Sequence, residues 1–240
     1  MIVDIFIPCF IGQVYPETAM NMVKILERLD IAVNYNTNQT CCGQMAFNSG
    51  YWDEAKAIGE KFIRDFSNDR YIVSPSASCV GMVKNYYPLL FHNTALHNEY
   101  KILRKNIYEF TDFLVNILKV TNVGAKFEKV VTYHESCAAR REYGLTDQPR
   151  ILMRNVHGLE LREMKDIETC CGFGGTFSIK HEAISSAMAE QKVQNALDTD
   201  AEYIISTEAS CLMHLEGYIN KFKKPIKTMH IVDLLVQGNF

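Results

Sequence analysis

The 240-residue sequence contains no C-x-x-C pair, no G-x-G-x-x-G and no block of like charge. Each absence removes a class of function. Without short C-x-x-C knuckles it lacks the usual signature of structural zinc. Without the glycine fingerprint it lacks a dinucleotide-binding turn, since GFGG after Cys171 has the wrong spacing. A ferredoxin-type C-x2-C-x2-C-x3-C-P run, the ordinary relay for electrons, is also missing. A formal charge of −3 with acids and bases interspersed gives no field that would draw nucleic acid or an anionic membrane, so neither is expected as a partner. No stretch approaches the roughly 18 uninterrupted apolar residues that a spanning helix requires. The opening MIVDIFIPCFIGQVYP lacks a basic leader and is broken by Pro8 and Gly12, so it reads as a buried strand and the expected location is cytoplasmic. In a reducing compartment cysteines more often ligate metal or do thiol chemistry than form disulfides.

What the sequence has is a 48% apolar composition, ample for a packed core, and eight cysteines in an ordered pattern. Cys9, Cys41, Cys42 and Cys79 are followed by Cys137, Cys170, Cys171 and Cys211, a single–double–single order used twice. The intervening gaps are 31 and 36 residues, then 32 and 39, and the sets are offset by 128 to 132 residues. Flanking residues agree, because YIVSPSASC ending at Cys79 matches YIISTEASC ending at Cys211. The period is far above that of solenoids and points to two tandem half-domains. A boundary within TNVGAKFE divides the chain into residues 1–122 and 123–240.

Hydrophobic periodicity alternates between strand and helix. Strands are predicted at Val3–Ile7, Ile31–Tyr35, Tyr71–Ser74, Val130–Tyr133, Leu159–Met164, Tyr203–Ser206 and Thr228–Ile231. Helices are predicted over Pro16–Leu29, Tyr51–Phe66, Arg150–Val156 and His181–Leu197, with a mixed helical segment at Val80–Leu90 and a short terminal helix. Leu103, Ile107, Phe110, Leu114 and Ile117, at spacings of three and four, predict one longer helix over Leu103–Ile117. This alternation implies an α/β fold with parallel sheets flanked by helices, whose ligands sit at the carboxyl ends of the strands. Cys9, Cys79, Cys137 and Cys211 each follow an apolar strand within a few residues, so strand-end loops would gather four sulfurs in each half.

A four-iron cluster needs about four thiolates, and each half supplies them. Structural zinc takes the same number, though adjacent cysteines bind one small ion poorly, and thiol or disulfide chemistry remains a third option. Gly43 and Gly172 would let the backbone approach a bulky group closely.

The pattern C-x31-CC-x36-C and its second copy resemble the CCG cysteine-rich domain family, which includes a component of heterodisulfide reductase, the iron–sulfur component of glycolate oxidase and short two-copy proteins. The stretches TCCGQMAFNSGY, SPSASC, CCGFGGTFS, SCLMH and TMHI are most similar to its lactate utilization members. The resemblance implies two pseudo-symmetric Rossmann-like halves, each holding an iron–sulfur cluster, one 4Fe-4S per half, with the two cysteine quartets as ligands. In heterodisulfide reductase five cysteines hold each cluster, whereas here Met82 and His214 stand at the fifth positions. His134 in HESC and Arg141 match family positions as further cofactor- or substrate-binding candidates. The implied function is electron transfer within an NAD-independent L-lactate-oxidising complex, with partner subunits of which one carries ferredoxin-type clusters. The alternatives are a disulfide or heterodisulfide reductase-like subunit and a non-redox protein with two structural zinc sites.

Overall fold

Short runs of β-branched residues form the middle of two sheets, because a strand covered by helices on both faces must be apolar on both. The computed structural model describes residues 1–238. Strands β1 (Ile2–Ile5), β2 (Ala32–Tyr35), β3 (Ile72–Ser74) and β4 (Ile107–Glu109) lie in the order β2-β1-β3-β4. Strands β5 (Val130–Tyr133), β6 (Glu160–Leu161), β7 (Tyr203–Ser206) and β8 (Lys227–His230) lie in the order β6-β5-β7-β8. Every pairing between these strands is parallel. The central strands are almost wholly buried, while the edge strand β2 is largely exposed. The α/β class, with two half-domains of parallel sheet flanked by helices, is therefore the fold that forms.

Helices return the chain between parallel strands. Pro16–Arg28 starts on a proline whose missing N–H costs nothing in a first turn, and it buries Thr18, Met22, Ile25 and Leu26 on one face. Trp52–Asp65 buries Ala55, Gly59, Phe62 and Ile63. In the second half Glu182–Leu197 does the same with Ala189, Val193 and Ala196. The two halves share one core: Val3, Met22, Leu26 and Phe113 pack in the same cluster as Val131, Leu152, Ile205 and Leu235. Asp233 accepts hydrogen bonds from Thr18 Oγ1 at 2.7 Å and Asn21 Nδ2 at 2.9 Å, joining the last helix, Ile231–Leu235, to the first half. Each half also has its own outer core, centred on Phe6, Phe62 and Tyr87 in one and on Met164, Val193 and Leu215 in the other. Among the described residues no helix is long and apolar enough to cross a membrane.

The single helix expected over Leu103–Ile117 does not form. A helix at His97–Asn106 ends where β4 begins, and a second helical segment starts at Phe110. Ile107, Phe110, Phe113 and Leu114 are all buried, so the apolar spacing is real but is divided between a strand and a later helix. The sheet requires a fourth strand, and pairing of Ile107–Glu109 with Ile72–Ser74 outweighs helix periodicity. Glu109 then caps the new segment, accepting hydrogen bonds from the Thr111 and Asp112 amides at 2.7 and 3.1 Å. The strand expected at Leu159–Met164 shortens to β6, with Met164 turned into the outer core. The Val80–Leu90 segment divides into helix Ala77–Gly81, a π-helical turn at Met82–Tyr86 and helix Tyr87–Phe91.

Glu109 is fully buried, and Oε1 lacks a partner. Burial pushes its carboxyl up to about 8. Below the usual carboxylate range it is neutral in both folded and unfolded chains. Between there and about pH 8 only the unfolded chain releases the proton, so stability falls as pH rises, by at most about 1.4 kcal/mol per pH unit. Glu109→Gln keeps an acceptor for the two amides and removes this loss. Urea unfolding between pH 5 and 8 is expected to show a shallower decline for the variant; parallel declines would refute the assignment.

Candidate metal centres in a shared cleft

Strand order reverses between β1 and β3, and again between β5 and β7. Loops leaving the carboxyl ends of such neighbours diverge and leave a crevice. Cys9 opens the helix that follows β1, and Cys79 lies in helix Ala77–Gly81 after β3. Cys137 follows β5 by four residues, and Cys211 lies in helix Ala209–Lys221 after β7. The loops after β2 and β6 deliver the adjacent pairs. Sulfur contacts then run Cys9–Cys41–Cys42–Cys79 in the first half and Cys137–Cys170–Cys171–Cys211 in the second. Cys137 and Cys170 place their sulfurs 3.9 Å apart. All eight cysteines are unpaired by disulfides.

The two quartets open onto a single cavity of about 220 Å³, lined by all eight cysteines. Phe10 of the first half meets Phe173 of the second edge-on across it, with ring centroids 5.5 Å apart. The halves are also tied at its floor. Ser76 and Glu208 each lie three residues before the last cysteine of their quartet, and Ser76 Oγ donates to Glu208 Oε1 at 2.6 Å. The Ser78 amide donates to Glu208 Oε2 at 2.9 Å. Burial, followed by the nearby Cys211 sulfur, raises the Glu208 carboxyl to about 7.

Local electrostatics divide each quartet. Sharing of protons with Cys42 and Cys9, together with the Gly43 amide 3.3 Å from its sulfur, pushes the Cys41 thiol far down. Cys9 and Cys42 move up in compensation. Cys170 is lowered in the same way by Cys137 and Cys171, with the Gly172 amide at 3.4 Å, while Cys137 and Cys171 rise. Cys211 falls to about 5 through Cys171 first and the neighbouring His134 ring second. Each quartet thus favours thiolate at chosen positions, the form that ligates metal.

Four further positions stand out in the sequence, and the structure distributes them differently. His134 is completely buried beside the second quartet; its ring reaches a set with Cys171 and Cys211 in which all three ligand atoms lie within 4.8 Å of one another. Arg141 is exposed, and its Nη2 donates to the Glu168 carbonyl at 3.1 Å. His214 is absent from the cleft lining; its ring lies 6.2 Å from that of the cleft residue Phe173, pairs with Ser185 Oγ at 3.1 Å and lines a separate depression with Tyr218 and Phe222. Met82 is fully buried in the first outer core and is absent from the cleft lining.

Sequence reasoning missed Glu135 and Lys192. Glu135, just upstream of Cys137, is buried between Arg150 Nη1 at 2.8 Å and Arg140 Nη1 at 2.5 Å, and Arg150 also stacks on the Tyr133 ring. Removing one partner from such a buried pair typically costs about 3–5 kcal/mol. Lys192 is buried on the helix beside Ala189, Val193 and Ala196 and donates to the Asp166 carbonyl at 2.8 Å; burial lowers its pKa. A lysine among Ala189, Val193 and Ala196 was the available signal.

The donor set fits a sulfur-ligated metal group. Each half brings four sulfurs together, directs a backbone amide at one of them and opens them to a cleft. The second half adds a buried imidazole that has no nitrogen or oxygen partner and lies beside the Cys211 sulfur.

Two parallel α/β halves with a C…CC…C quartet at each switch point define a duplicated cysteine-rich domain, and the CCG cysteine-rich domain model matches residues 3–84 and 131–216. The lactate utilization protein A of Geobacillus kaustophilus is 42% identical over 240 residues, covering 100% of both chains. That of Halalkalibacterium halodurans is 41% identical, covering 98% of this chain and 96% of its own. The chain belongs to the lactate utilization protein A family. Among solved structures, a hypothetical protein from Helicobacter pylori aligns with 100% of this chain and 49% of its own at TM-score 0.57 and 11% identity, a likeness of fold alone.

The turns after the two cysteine pairs differ in tolerance. Both Gly43 and Gly172 have positive φ, 84° and 95°. A Cβ on Gly43 would sit 3.3 Å from the Ala55 carbonyl, whereas on Gly172 it would sit 2.5 Å from that of Ser185. Gly43→Ala is expected to cost about 1–2 kcal/mol from backbone strain, and Gly172→Ala roughly 1–3 kcal/mol more from the clash. Denaturant unfolding of the two variants checks this; equal losses would contradict it.

Proposed function

We propose that the chain is the iron–sulfur electron-transfer subunit of an NAD-independent L-lactate-oxidising system, working in the cytoplasm. The observation that carries this reading is the convergence of all eight cysteines, as two quartets, on one cleft. The relatives' name supplies lactate utilization as the setting. Cys9, Cys41, Cys42 and Cys79 would hold one four-iron cluster, and Cys137, Cys170, Cys171 and Cys211 the other. A bound iron–sulfur cluster supplies one-electron storage at each centre.

The chain's own residues do the rest. The Gly43 and Gly172 amides direct hydrogen bonds at sulfur, which tunes such a centre. Phe10 and Phe173 cover the cleft with apolar surface. Glu208 and Ser76 place an exchangeable proton beside it. With no ferredoxin-type run and no dinucleotide fingerprint in the sequence, electrons pass through partner subunits, one of them carrying ferredoxin-type clusters. A second reading draws support from the shared cleft: a disulfide held between the two centres, as in a heterodisulfide reductase-like subunit. Turnover of a disulfide panel with a low-potential reductant would favour it.

Purified without oxygen, the full chain is expected to be coloured and to contain about eight iron and eight sulfide, the content of two four-iron clusters. Replacing Cys41 and Cys42 by Ser, or Cys170 and Cys171 by Ser, is expected to remove about half of that iron in each case. Zinc near two equivalents without sulfide would overturn the reading.

A further inference from the structure

The duplication aligns the ends of β1 and β5, so that DIFIPC over residues 4–9 corresponds to TYHESC over 132–137. Phe6 in the first half and His134 in the second therefore occupy the same place relative to their quartets. Both are fully buried. Phe6 belongs to an apolar environment, with the Phe62 ring edge-on at 4.7 Å. Its counterpart environment is polar. The helix faces against which Gly43 and Gly172 rest align Ala55 with Ser185, and seven residues further on each helix Phe62 aligns with Lys192. The aromatic pair of the first half is thus an imidazole and an ammonium in the second.

Neither ring nitrogen of His134 has a nitrogen or oxygen partner, and what the ring faces is the Cys211 sulfur. A buried polar group left so costs about 1–3 kcal/mol, and such groups in folded proteins generally have a use. The backbone on both sides of the ring is fixed: the His134 amide donates to the Ile205 carbonyl at 2.8 Å, and Ser206 Oγ donates to the His134 carbonyl at 3.0 Å. Next in the chain, Glu135 is clamped by two arginines. The ring is therefore held toward the sulfurs of Cys171 and Cys211, and the three ligand atoms lie mutually within 4.8 Å. The ring nitrogen thus lies within reach of a metal group held by those two sulfurs.

We propose that a ring nitrogen of His134 is a further ligand of the second centre, giving it a mixed thiolate–imidazole donor set that the first centre lacks. The proposal rests on reading the quartets as cluster ligands. It places the extra donor at the end of a strand, not at His214, whose ring is engaged with Ser185. Each centre keeps four thiolates, and the neutral imidazole is an added donor on the second alone, so the two centres would differ in coordination and not in ligand charge.

The test uses the full chain purified without oxygen, labelled with 15N-histidine and partly reduced with dithionite, and read by pulsed electron paramagnetic resonance. The wild type is expected to show strong coupling to a histidine nitrogen that changes with the isotope and is lost in His134→Gln. His134→Cys, which offers a thiolate at the same place, is expected to retain iron without the nitrogen coupling, and His214→Ala to retain both. An iron-loaded wild type with no bound-nitrogen coupling, or coupling that survives in a folded His134→Gln, overturns the proposal and leaves the cluster reading intact. Absence of iron from the wild type overturns both.

Discussion

Four sulfurs crowded together at a reversal of strand order are the constraint on which the rest of this molecule depends. Thiolates in contact repel, and the quartets relieve this by dividing protons unequally: Cys41 and Cys170 are pushed down while Cys9, Cys42, Cys137 and Cys171 are pushed up. A cationic metal group relieves the same crowding more fully. The backbone is arranged accordingly, with Gly43 and Gly172 in left-handed conformations that bring an amide to a sulfur and seat each turn against the following long helix. The fold supplies the crevice, and the cysteines determine what can occupy it.

The crevices are not independent. A common core joins Val3 and Met22 to Val131 and Ile205, and the Ser76–Glu208 hydrogen bond closes the floor between the quartets. Both centres consequently look into one cleft. Duplication gave the halves the same sulfur geometry, and subsequent divergence gave them different surroundings: Phe6 and Phe62 on one side, His134 and Lys192 on the other. The two quartets are alike in their sulfurs and unlike in what surrounds them.

Much of this was legible in the sequence. The single–double–single cysteine order located both quartets, and the β-branched runs located the central strands, because burial on both faces leaves an apolar signature. The helix drawn through Ile107 was an error of a specific kind. Periodicity of three and four in Leu103, Ile107, Phe110 and Leu114 is satisfied by strand and helix together, and only pairing with β3 selects the break. The internal repeat held the correction, since FTDFLV over residues 110–115 parallels IVDLLV over 231–236, where a strand before a short helix was recognised. His214 was drawn to the cleft by its spacing from Cys211, but the helix Ala209–Lys221 turns that side chain toward Ser185. The meeting of the two quartets, the Glu135 clamp and the buried Lys192 depend on contacts between distant segments and leave little trace in local pattern.

The central claim is that two cysteine quartets hold iron on either side of one cleft. Anomalous scattering at the iron edge, from crystals of the full chain grown without oxygen, tests it most directly. Two separate iron peaks are predicted, one among Cys9, Cys41, Cys42 and Cys79 and one among Cys137, Cys170, Cys171 and Cys211. A quartet without iron, or closed by a disulfide under those conditions, would contradict it.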